Sequence, residues 1–290
     1  MRKKTEFRSK RVRLGPECFA LSTGKEIPPT DLLSEKCWKG ITSLPDDVSL
    51  RTSDHYGSTL KSFYNLWSEW ICLTYALQKI SNDSAIAHTA SDAGDHFQAS
   101  IYNALTGYYR LAFTSLRGVV ENMSLGMQFH IAAARNEFAD WIAGEEFGFG
   151  WAADHLTQHA HILALEQNLA AATGDNLFRR RSPTDPGGLI WRLFRELSRY
   201  AHGAPGYNDG DMWRSNGPVF ASSAFETWIE CFLIVYCLAV LQSRLADHKL
   251  EQLGFDSKFT ARDLFHHVLD QLPKKSDVRR LLSAVPIAIW

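Results

Sequence analysis

The chain has almost no net charge. Its 31 Lys and Arg stand against 32 Asp and Glu, a formal −1. That balance excludes a general attraction to nucleic acid or to an acidic membrane, so any contact with a polyanion has to be local. Cysteine is sparse as well. Cys18, Cys37, Cys72, Cys231 and Cys237 are scattered, with no Cys-x-x-Cys pair. This argues against a disulfide framework and a zinc knuckle, and makes a reducing, cytoplasmic compartment the expectation. Long apolar runs are missing. The best membrane candidate, CFLIVYCLAVL from Cys231 to Leu241, is far short of the roughly 20 apolar residues that span a bilayer. It reads as a buried helix, and no membrane partner is expected. The opening MRKKTEFRSKRVRLG is basic but lacks the apolar stretch of a secretory signal. Absent too are a G-x-S-x-G elbow, an H-E-x-x-H pair, and a Lys-Ser/Thr after the Gly-rich GEEFGFGW at 144–151.

What remains is a chain with ample material for a core, 45% hydrophobic over 290 residues. Residues 1–50 read as a basic N-terminal arm and an irregular segment, punctuated by LGPE, TGKEIPP and SLPDD. The arm carries Arg2, Lys3, Lys4, Arg8, Lys10, Arg11 and Arg13 against Glu6. Two readings stand for it: a solvated terminus, or an arm on a phosphate backbone. Residues 51–290 read as a single helical domain.

Apolar residues from about 56 recur at spacings of three and four: Leu60, Phe63, Tyr64, Trp67, Trp70, Ile71, Leu77. SNDS at 81–84 ends that run. Further helical stretches are expected at about 95–127, 133–145, 151–172, 189–202, 220–249, 260–272 and 276–284. Without a strand pair or an internal repeat, the fold class is all-α, an antiparallel helical bundle.

Two helices carry polar faces. In LIWRLFRELSRYAH, 189–202, the residues Leu189, Leu193 and Leu197 form one stripe. Arg195, Arg199 and His202 fall within roughly 60° of one another, nearly opposite, with Ser198 at their edge. Pro186, Gly187 and Gly188 precede this helix and Gly203 follows it. A polar helix end that complements the macrodipole would show the same residues. In NALTGYYRLAFTSLRGVVENM the polar side carries Arg110, Thr114, Arg117 and Glu121. Arg117 and Glu121 are spaced to pair with each other; Glu121 is also placed to reach Arg195 or Arg199 from a neighbouring helix.

A helical bundle with Arg195, six intervening residues and His202 near a helix end resembles the HEPN superfamily. YYRLAFTSLRGVVENM resembles the "LR…E" helix of several HEPN-like bacterial families, and LSRYAHG their second helix. The resemblance covers about 90–245. It implies metal-independent cleavage of RNA, in which a 2′-hydroxyl attacks the adjacent phosphate and leaves a cyclic phosphate. His202 would transfer protons and Arg195 would stabilise the phosphate, with Arg199 as a second contact. Ser198, Glu121 and Arg117 would support them, and Arg179, Arg180 and Arg181 would extend the RNA track. No cofactor is implied. The partners implied are RNA, a second copy or higher oligomer supplying a facing motif, and a regulatory or antitoxin protein of a toxin or antiviral defence system. Two departures stand out. Glu196 follows Arg195 where active members carry a polar residue, often Asn, and Arg199 competes with Arg195. Some branches of the family serve as inactive assembly modules, and that alternative stays open.

DHLTQHAH at 154–161 gathers Asp154, His155, His159 and His161. His155 and His159 are one helical turn apart, which suits a metal, but on one helix His161 would point away from His159. Tyr207 and Trp213, after His202, are placed either to stack on a base or to cover the core.

Overall fold

The computed structural model describes residues 35–80, 84–202, 217–252 and 258–290. Side chains of 35–38, His202, Glu251, Gln252 and Ala288 lie outside that description, as do 1–34 with the basic arm, and 203–216 with Tyr207 and Trp213. Residues up to Ser43 form one compact unit and Leu44–Trp290 another. In the first, the described residues open helix α1, Glu35–Ile80. The second holds the rest of α1, then α2 Ala85–Leu105, α3 Tyr109–Ile131, α4 Arg135–Ile142, α5 Phe149–Leu156, α6 Ala160–Thr173, α7 Leu189–His202, α8 Ser222–Ala246, α9 Ala261–Leu269 and α10 Asp277–Ser283. Among the described residues there is no strand, so the chain is all-α.

The N-terminal boundary needs correction. Residues up to about 50 were expected to be irregular, yet the chain is helical from Glu35 and continues through Pro45. Proline lacks an N–H and opposes a helix interior, but here it does not end the helix. The break comes at Tyr56 (φ −128°, ψ 20°), where the helix kinks. Tyr56 stacks on Phe225 at 4.4 Å and its hydroxyl donates to Glu226, which fastens the kink to α8.

The expected helix over 95–127 is two helices. Thr106, Gly107 and Tyr108 turn the chain, and Gly107 sits at φ +80°. A Cβ there would lie 2.5 Å from the Val219 carbonyl oxygen, so only glycine fits this crossing of two chain segments. α2 and α3 then run against each other through small residues. Ala90 and Ala93 are fully buried, and any side chain at Gly126 would collide with Thr89.

The core gathers on α8. Phe225, Trp228, Phe232, Tyr236 and Cys237 are fully buried. Phe63, Trp70 and Phe97 form an edge-to-face aromatic lattice with them, with ring centres 4.7–5.7 Å apart. Every polar tip in this lattice has a partner. Trp228 Nε1 donates to Ser100 Oγ at 2.9 Å, the Tyr236 hydroxyl to the Leu66 carbonyl at 2.7 Å, and Gln242 Nε2 to Ser124 Oγ at 3.1 Å. α8 runs 25 residues, long and apolar enough by composition to cross a membrane, but most of that apolar length is buried in the bundle. The run CFLIVYCLAVL is therefore the centre of a core helix, as its sequence implies.

Candidate functional site

α7 starts where three amides find carbonyls on the preceding segment. Gly188, Leu189 and Ile190 donate to Arg179, Asn176 and Leu177 at 2.8–3.0 Å. That segment is in turn held by one buried carboxylate. Glu166 of α6, 5% exposed, accepts the amides of Leu177 and Phe178 on Oε1 and of Arg179 on Oε2, at 2.9–3.1 Å. Burial pushes its carboxyl above the ordinary value, against the pull of those three amides and Asn176. Arg192 locks the same corner: its guanidinium grips Asp175 with bonds of 3.3 and 2.6 Å. Burial tends to raise the Asp175 pKa, but donation from Arg192 and from the Asn176 amide outweighs it and leaves the carboxyl below its usual range.

At the other end of α7, Arg110 of α3 reaches across and donates from Nε to the Tyr200 carbonyl at 2.6 Å. It binds a helix C-terminus that would otherwise be left with unfilled acceptors. Between these two fixings lies the α3–α7 seam, and Arg117 fills it. Its Nε donates to Ser198 Oγ at 3.1 Å, its Nη1 pairs with Glu121 at 3.1 Å, and its guanidinium lies 4.6 Å over the Phe194 ring. Ser198 in turn donates its hydroxyl hydrogen bond to the Phe194 carbonyl at 2.7 Å. Arg117, Ser198 and Glu121, expected as supporting groups, thus form one braced unit, with Glu121 paired within its own helix rather than to Arg195 or Arg199.

The exposed face of α7 divides its two arginines. Arg199 pairs with Glu196 at 2.9 Å. Arg195 is exposed and makes no hydrogen bond or ion pair with the described residues. His202 is the last residue of α7, two turns beyond Arg195, a rise of about 10 Å. The residues of the expected RNA track lie on the surface, two of them beside carboxylates. Arg179 pairs with Asp185 and Arg180 with Asp154, at 3.1 and 3.2 Å, while Arg181 is exposed.

One titratable group beside this seam has no sequence motif to announce it. His96 of α2 sits on the bare backbone of Gly118 in α3; a Cβ at Gly118 would come 2.7 Å from the ring. Burial holds the imidazole below its ordinary value, against the opposing field of Asp92, Asp95 and Glu121. The only trace in the sequence is a glycine inside a helix, where it costs about 1 kcal/mol relative to alanine.

The three histidines at 155–161 are not on one helix, which corrects the expected geometry. α5 ends at Leu156 and α6 begins at Ala160, so His159 caps α6 and its ring lies 6.2 Å from that of His161. His159 faces Gln128 Oε1 at 3.1 Å, and His155 Nδ1 faces the Trp151 carbonyl. Among the described residues no group of three or more His, Cys, Asp or Glu is placed to hold a metal ion. No protein-family model, curated protein or solved structure matches the chain.

Proposed function

We propose that the chain is a metal-independent endoribonuclease of HEPN type, a cytoplasmic toxin or antiviral effector that works as an oligomer. The observation carrying this reading is the division of labour on α7. Arg117, Ser198 and Glu121 fix one flank of the helix, while Arg195 alone among its outward arginines stands exposed without a partner, on the face that ends at His202. A guanidinium without an intramolecular anion is ready for the non-bridging oxygens of a phosphodiester. The histidine that ends the helix supplies a group that exchanges protons near neutrality. Arg195 is accordingly the working arginine, and Arg199, already held by Glu196, is secondary.

The alternative is an inactive HEPN-like assembly module. Its supporting observation is the density of carboxylates: Glu196, Asp185 and Asp154 already occupy Arg199, Arg179 and Arg180. RNA cleavage in EDTA separates the two. The nuclease reading expects products ending in a 2′,3′-cyclic phosphate, a loss of at least about 100-fold in rate in His202→Ala and in Arg195→Ala, and a smaller loss in Arg199→Ala. Equal cleavage by wild type and His202→Ala would sink it.

A further inference from the structure

The last turn of α3, the first turn of α6, the end of α8 and the chain around Ile289 line a cleft of about 520 Å³. Small organic ligands are held in spaces of about 300–1,000 Å³. Among the described residues, every ionisable side chain lining this cleft is a base. They are His130 of α3, His161 of α6, Arg244 of α8 and His248 just beyond α8. Ile131 and Ile289 add apolar wall.

A base in the last turn of a helix ordinarily answers the exposed carbonyls there. At the end of α3 the backbone meets that need. The Gln128, Phe129 and His130 carbonyls accept the amides of Ala132, Ala134 and Ala133. The His130 imidazole faces the cleft instead, with the Asp247 carboxylate 3.7 Å from its Nε2. Arg244 is also engaged within the fold; its part here is a fixed positive charge on the cleft wall. His161 stands at the opening of α6, the positive end of that helix. The capping residue, His159, gives the first amides of α6 no side-chain acceptor. Bases drawn from separate elements thus converge on one recess, and no lining carboxylate among the described residues balances them.

We propose that this cleft binds the phosphate group of a small phosphomonoester. A monoester carries close to two negative charges near neutrality, where a phosphodiester carries one. The cleft meets it with one fixed positive charge and three imidazoles that can each become another. Arg244 and the imidazole N–H groups take the phosphate oxygens, and the isoleucines take the organic body. Burial holds the His130 and His161 imidazoles below their ordinary values, so in the free protein they are neutral above about pH 6.5. The titratable and charged groups facing them are Asp247 at His130 and His159 at His161, with Arg244 and His248 on the same cleft. A bound dianion adds to the field of Asp247 and draws protons onto the rings, so binding takes up protons. None of the lining residues belongs to α7, and the proposal does not depend on the cleavage reading.

The test is isothermal titration calorimetry of the full chain with phenyl phosphate at about pH 7.5, with benzyl alcohol as the uncharged control. Phenyl phosphate should bind saturably with a Kd below about 1 mM, and benzyl alcohol should not. Titrations in two buffers of different ionisation enthalpy should show net proton uptake. His161→Ala/His248→Ala removes two exposed rings and should weaken binding at least about tenfold. Lys274→Ala/Lys275→Ala, on a separate basic surface, should leave it within about twofold. Circular dichroism checks that both variants remain folded. No binding to the wild type, equal binding of benzyl alcohol, or no proton uptake overturns the proposal. So does a histidine double variant within about twofold of wild type, or an equal loss in the lysine pair. Displacement of phenyl phosphate by a hydroxyl-ended oligonucleotide at matched concentration assigns the cleft to a phosphodiester backbone and overturns it too.

Discussion

Replacing Glu166 with glutamine changes the fewest atoms at the point that fixes the start of α7. The new side chain keeps one carbonyl oxygen, which can still accept the amides of Leu177 and Phe178. Those two bonds lose their charge, at about 1 kcal/mol each. The second oxygen becomes an NH2 group facing the Arg179 amide. Two donors then point at each other, and a buried amide left without an acceptor costs about 1–3 kcal/mol. Removing a buried carboxylate returns part of this, because burial already works against its charge. The net loss is about 2–4 kcal/mol. Urea denaturation of wild type and Glu166→Gln measures it, and amide hydrogen exchange locates it. The amides of Leu177, Phe178 and Arg179, and those of the first turn of α7, should lose protection before the core of α8 does. A loss below about 0.5 kcal/mol, the range of ordinary surface substitutions, or unchanged exchange at Arg179, would refute the view that this carboxylate anchors the helix.

Two further outcomes follow from the histidines. Gly118→Ala puts a methyl group where the His96 ring lies. The ring should move outward and its pKa climb back toward 6.5, read from the imidazole proton resonances. Stability should change little, because the helix gains about 1 kcal/mol from the alanine while the seam loses packing; an unchanged His96 titration would contradict the geometry. Separately, His96, His130, His159 and His161 all have pKa values held down, in each case chiefly by burial. For groups depressed on folding, the unfolded chain takes up protons first, so their contribution is present above about pH 6.5 and is lost as pH falls through the folded values. Thermal unfolding should therefore shift to lower temperature between pH 7 and pH 5, and His96→Gln should flatten that slope. A midpoint that holds steady or rises over that range would count against it.

The helix α7 was legible at both ends because its boundaries are chemical: Pro-Gly-Gly before it and a glycine after it. The apolar run at 231–241 was legible as core for a similar reason, since its helix has nearly no polar face to present to water. Breaks inside the longer helical patterns were not. Thr106-Gly107-Tyr108 interrupts a continuous helical pattern only because Val219 crosses there, and nothing near 107 in the chain announces a segment more than a hundred residues away. Pro45 misled in the opposite direction, as a helix breaker inside a helix. The same division holds at the site. Arg195, Ser198 and Arg199 share a face by spacing alone, and Arg117–Glu121 pairs by spacing alone. Which of Arg195 and Arg199 pairs with Glu196 is read only from the structure, where it is Arg199. Glu166 sits in no motif that marks it out. Its importance comes from three amides that lie eleven to thirteen residues further along and fold back onto it.

The position of α8 in the chain bears on how the protein is made. Its aromatic face packs on Phe63, Trp70, Phe97 and the α3 core, all of which leave the ribosome before it. When the most apolar helix emerges, the groove that receives it has already been synthesised, and its exposure to water, to other nascent chains and to the membrane-insertion machinery is brief. A circular permutant that places α8 ahead of α1–α3 would reverse that order. It should aggregate or mislocalise during synthesis while remaining stable once folded.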